Sequence, residues 1–291
     1  ALTILVIGFA GYGRKLPGIL TAFFLLTTPM FYSLIVQCHI DPTRIAAFTA
    51  AIASIWVLSQ TPKFRTAIMA GLACGCSMFV HSIGILTLPI AIPIYVILVK
   101  GGRFFGHLSN IATVFGLSIM MLTMRYAINI KIFGSIVGDQ TEVWTYPELG
   151  VDEARLVARY MESPLDRIVN GALMGFINTS YFGSFYIIMT GALALWVFKS
   201  RNSWKSPFKS LKKQVWRHSN DPVYAALLVV LGYMGIMFLT LMMGTDLAVK
   251  NPRYILTLQP FVIMVAARVI CEYLLKDADL KTRPIENEVR T

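Results

Sequence analysis

At 291 residues, 56% of them hydrophobic and 14% charged, with a mean hydropathy of +0.65, the chain is too apolar for an ordinary soluble domain. Its formal net charge of +11 would suit a nucleic-acid binder, but in a membrane protein lysine and arginine first report orientation and contact with anionic lipid, so nucleic acid is set aside as a partner. The expected fold is all-α, a polytopic integral membrane helical bundle; the short alternating segments of a β-barrel do not occur.

In chain order, ALTILVIGFAG supplies only about half a span before the basic turn Gly13-Arg14-Lys15, so the chain is expected to start inside a helix with a further segment upstream of Ala1. Candidate crossings follow at 16–36, 45–60, 67–81, 83–99, 108–124, 181–198, 222–243 and 254–275, giving about eight to nine spans in view. The apolar stretch 67–99 exceeds one helix and barely supplies two. Arg65 before it and Lys100 and Arg103 after it belong on one side, which requires an even number of crossings and makes His81-Ser82-Ile83-Gly84 an outer turn.

Charge then sorts the loops. Seventeen of the 26 lysines and arginines fall on one side, including the 199–221 loop and the 276–291 tail, and eight on the other, so the first side is cytoplasmic. Arg268 near the inner end of the last span is expected to snorkel. The one large outer loop, 125–178, contains VDEARLVARYMESPLDRIVNGALMGF at 151–176, which reads as one or two amphipathic helices lying on the membrane face. Cys38, Cys74, Cys76 and Cys271 all lie in or beside apolar runs and are expected to pack as small hydrophobes, without disulfides or zinc.

Ionisable residues at a membrane mouth are costly and point to function. The topology gathers His39, Asp41, His81, Arg125, Tyr126, Lys250, Arg253 and Tyr254 at outer helix ends: several cations and one acid. Guanidinium forks and an ammonium suit phosphate oxygens. Each residue also has a plain structural role open to it. Asp41 before Pro42 is a good N-cap, Arg253 an interface anchor, His81 a turn residue and Arg125 the end of its helix. Walker A, HExxH, GxSxG and Rossmann signatures are absent.

The order of features resembles the GT-C-fold, polyprenyl-phosphate-dependent membrane glycosyltransferases, the protein O-mannosyltransferases and the aminoarabinose transferases of lipid A among them. Three segments carry the likeness: GYGRKLPGILTAFFLLTTPMFYSLIVQCHIDPTRIAAFTAAIASIWVL, AGLACGCSMFVHSIGILTLPIAI and NPRYILTLQPFVIMVAA. Together they cover most of 1–100 and 245–275. The resemblance implies a sugar moved from a polyprenyl-phosphate donor to an extracytoplasmic acceptor, in a bacterial inner (plasma) membrane with membrane lipids around it; in this reading Asp41 orients substrate or a divalent metal, and no metal is named. It puts Asp41 at the acidic position of the outer turn and Arg253 and Tyr254 on the RY pair; Lys250 and Arg125 join them at the lipid phosphate on the strength of their outer position alone. His81 stands where many relatives carry lysine, and histidine is the weaker and pH-dependent cation. The family's catalytic acid falls upstream of Ala1, so no catalytic residue is assigned. The alternative is a non-catalytic subunit of the same fold, packed among other protein subunits of a larger complex.

Overall fold

The computed structural model of the chain describes residues 2–12, 15–28, 41–99, 104–134, 191, 220–242 and 257–271. Apolar runs separated by Gly, Pro and basic turns become helices, and among the described residues there is no strand. The helices are α1 (Leu2–Ala10), α2 (Lys15–Thr27), α3 (Asp41–Gln60), α4 (Phe64–Val80), α5 (Thr87–Leu98), α6 (Phe104–Phe133), α7 (Pro222–Met242) and α8 (Gln259–Val269).

The expected break inside 67–99 is where the chain turns. Helix α4 stops at Val80, His81 is extended (φ −150°, ψ 147°), and a 3-10 turn over Ser82–Leu86 leads into α5. Gly84 donates its N–H to His81 O at 2.9 Å. The hydroxyls of Ser77 and Thr87 lie 2.9 Å apart, closing the turn from both sides. A Cβ at position 84 would run into the backbone of Ser77 and Met78, so only glycine lets the turn lie this close to the helix it leaves.

Helix α5 takes the chain back, and α6 returns parallel to α4. The two parallel helices meet through glycine. A Cβ at Gly71 would come within 3.0 Å of Leu117 Cβ, and one at Gly75 within 2.6 Å of Met121 Sδ. Small residues four apart let helix backbones approach closely, which drives association where water-driven burial is unavailable. Ser118 shares its hydroxyl between Val114 O on its own helix (2.7 Å) and Gly71 O across the contact (3.2 Å). At the other end of this pair of helices, Tyr95 near the end of α5 is tied to the start of α6. Its hydroxyl lies 2.9 Å from His107 Nδ1 and accepts from Asn110 Nδ2 at 3.2 Å.

Helix α3 lies at the centre of the apolar core. Near its C-terminal end Trp56 stacks edge-on against Phe9 (5.7 Å) and Tyr12 (4.8 Å). Nearer its start, Phe48 meets Tyr233 of α7 at 6.1 Å and Phe261 of α8 at 5.7 Å. Arg268 Nη2 bonds Asp221 Oδ2 at 2.9 Å, so the end of α8 lies beside the start of α7 and the two helices are antiparallel. The snorkelling expected of Arg268 is thus replaced by an ion pair, which holds a half-buried cation more cheaply than an unaccompanied one.

Two helices are long and apolar enough to cross a membrane, Pro42–Gln60 of α3 and Phe105–Ile132 of α6; five other apolar helices of 10–17 residues accompany them among the described residues. Sixty-one per cent of the most apolar stretch of α3 is buried against only 17% for α6, whose Phe105, Phe115, Met120, Met124, Ile128 and Ile132 are exposed. Such a face belongs against lipid or another apolar surface. Helix α6 also runs well beyond the expected boundary at 124. At about 1.5 Å per residue its 30 residues reach about 45 Å, past a hydrocarbon layer of roughly 30 Å. The expected crossing 181–198 and the amphipathic stretch 151–176 lie outside the described residues, apart from Gly191.

Candidate functional site

The start of α3, the turn after α4 and the later part of α6 lie at one end of the bundle, the end expected to face outward. The start of α8 belongs to the same end, because Phe261 meets Phe48 while Arg268 lies at the opposite end with Asp221.

Of the expected site residues, Asp41 is the first residue of α3, followed by Pro42 in the first turn, where a ring without N–H costs no hydrogen bond. His81 ends α4 and is half-buried. Arg125 does not end its helix, the plain role its position suggests, but lies two turns inside it. It is half-buried, and its Nη1 donates to Met78 O at 3.0 Å. Met78 is within the last turn of α4, whose final carbonyls have no partner in their own helix. A guanidinium there satisfies an orphan acceptor and meets the negative end of the helix dipole. Arg125 and His81 are thus brought together at the end of α4, and Tyr126 packs against the core beside them. Lys250, Arg253, Tyr254 and His39 lie outside the described residues.

Sequence reasoning misses three buried polar residues at this end. Arg44, in the first turn of α3, has 1% of its surface exposed, although the sequence marks it only as one more outer cation. Thr257 and Gln259, at the head of α8, have 2% and 1% exposed, and among the described residues neither Thr257 Oγ1 nor either polar atom of the Gln259 side chain has a hydrogen-bond partner. Just inside these heads, Phe48 and Phe261 join α3 to α8. The signal that could find Gln259 is a glutamine inside an otherwise apolar run, TLQPFVIMVAA, which is expensive in a buried helix and so has a reason to be there.

Among the described residues no three His, Cys, Asp or Glu side chains gather as a metal site. Cys74 and Cys271 are buried and Cys76 is exposed, all as free thiols. Cys38 lies outside the described residues. Chemically, the end of the bundle combines cations near helix ends with buried hydrogen-bonding groups that have no partner among the described residues. No family model, no curated protein and no solved structure matches this chain.

Proposed function

We propose that this protein is a multi-pass membrane glycosyltransferase of the GT-C type, of about eight to nine spans in a bacterial inner membrane, which takes a sugar from a polyprenyl-phosphate carrier on the extracytoplasmic side. The observation that supports the reading best is the polar character of one end of an otherwise apolar bundle. Arg44, Arg125 and His81 lie there, and Gln259 and Thr257, at the head of the helix that follows NPRY in the sequence, have no side-chain hydrogen-bond partner among the described residues. In this reading Lys250 and Arg253 hold the lipid phosphate, with Tyr254 beside them. They stabilise the charge left on the carrier as the sugar departs. No residue in view is assigned as the base that deprotonates the acceptor, and Asp41 orients substrate or a divalent metal. Arg125 contributes through its grip on the end of α4 more than as a free phosphate ligand.

The test is sugar transfer from a polyprenyl-phosphate sugar to acceptor in membranes holding the full-length protein or its Arg253→Ala variant. Loss of transfer with retained expression supports the phosphate clamp; full activity in the variant removes it. A wild-type protein that transfers no sugar but co-purifies with other membrane proteins would favour the subunit alternative.

A further inference from the structure

Several buried threonine hydroxyls of this bundle are satisfied by a simple device. Thr21, Thr28 and Thr49 each donate to the carbonyl one turn back, at 2.6, 2.8 and 2.7 Å. Thr257 stands ahead of the first α-helical turn of α8, in a short 3-10 stretch, and its hydroxyl has no partner among the described residues. Gln259 opens the helix itself, and Pro260 follows it without an N–H to offer. Two side chains, both more than nine-tenths buried, therefore present an amide N–H₂, an amide oxygen and a hydroxyl that no described residue bonds. Burial of that kind is costly, and replacing such groups by apolar ones of the same shape would be neutral or stabilising.

The donor and acceptor count narrows what belongs there. A phosphate offers acceptors only and would leave Gln259 Oε1 unsatisfied. An isoprenoid chain satisfies nothing. A polyhydroxyl group offers a donor and an acceptor at every oxygen, so adjacent ring hydroxyls can bond both ends of one amide. We infer that the head of α8 is the sugar-recognition site of the lipid-linked donor, with the Gln259 amide reading ring hydroxyls and Thr257 supporting it. This inference rests on the lipid-phosphate-sugar reading above.

The experiment is lipid binding to the full-length protein in nanodiscs, for wild type, Gln259→Leu and Thr257→Val. The probes are polyprenyl phosphate alone and polyprenyl phosphate carrying mannose, glucose or aminoarabinose. Dissociation constants and melting temperatures are recorded for each. Wild type is expected to prefer at least one sugar-bearing lipid over the bare phosphate by about tenfold or more. Gln259→Leu is expected to abolish that preference, keep the affinity for the bare phosphate, and melt no lower than wild type without lipid. Thr257→Val is expected to reduce the preference in the same direction. Retention of the preference in Gln259→Leu overturns the inference. So does a lower melting temperature for lipid-free Gln259→Leu, because the amide would then serve the fold. Wild-type binding of all lipids without sugar preference overturns this inference alone, whereas binding of none overturns the lipid-phosphate reading with it.

Discussion

Arg125 and Met78 are joined across the α4–α6 contact by a 3.0 Å bond from guanidinium to carbonyl, and the same offset of 47 residues relates Ser118 to Gly71. The two bonds are seven residues apart on both helices. Seven residues bring a parallel pair back to the same face, so a single register serves both. The clasp is one structural unit, with the small residues Gly71 and Gly75 below and a charged cap above.

If the Arg125 bond caps α4, its removal costs stability before it costs chemistry. Arg125→Leu is expected to lower unfolding free energy by about 1–3 kcal/mol, the range for a lost hydrogen bond to a charged group. Arg125→Gln keeps a donor and should lose less. Thermal unfolding of both variants in nanodiscs checks this, and a normal melting curve for Arg125→Leu with abolished lipid binding would make Arg125 a ligand instead.

The glycine contact predicts opposite signs for the same substitution at two places. Gly71→Ala forces Cβ against Leu117 Cβ and to 3.2 Å from Thr113 O, an overpacking expected to cost about 1–3 kcal/mol. At Gly116 on α6 an added methyl would have nothing within 4 Å among the described residues, so Gly116→Ala is expected to stabilise by up to about 1 kcal/mol through helix propensity. Melting temperatures that move the same way for both would refute the close approach.

Tyr95→Phe removes the hydroxyl that serves both His107 and the buried Asn110, so each of them loses a bond. A loss of about 1–3 kcal/mol is expected. Combined with Asn110→Leu the losses should fall short of additive, since each change removes the same bond. A double-mutant cycle by denaturant or thermal unfolding reads this coupling; strict additivity would dissolve the network.

Asp221 and Arg268 are 26% and 13% exposed in their side chains, so their ion pair is partly shielded from salt. Asp221→Arg alone should destabilise the α7–α8 contact, and Asp221→Arg with Arg268→Asp should recover much of the loss. Yields of folded protein by size-exclusion chromatography compare the three; no rescue in the double variant would mean the pair is incidental.

Element positions are legible wherever charge or glycine interrupts an apolar run. Counting crossings between Arg65 and Arg103 places a turn at His81–Gly84, and it falls between α4 and α5. The end of α6 is not legible, because Arg125 looks like a helix terminator when nothing indicates a carbonyl waiting for it on α4. Gly71 and Gly75 stand four apart in plain view, but spacing alone does not say which helix they receive, and the Ser118 that meets Gly71 lies 47 residues away. At the head of α8, attention goes to Arg253 and Tyr254, the charged and aromatic residues. Gln259 carries no charge and sits in an apolar run, so its meaning depends on burial, which only the folded chain supplies.

The clasp between α4 and α6 also sets an order of events during synthesis. Its donors emerge from the ribosome only after α5 has been made and turned back, so for that interval the groove at Gly71 and Gly75 is bare and the last carbonyls of α4 are uncapped. A nascent chain arrested before Ser118 would hold α4 by its contacts with α3 and with the turn and helix that follow it, but without the Ser118 and Arg125 bonds.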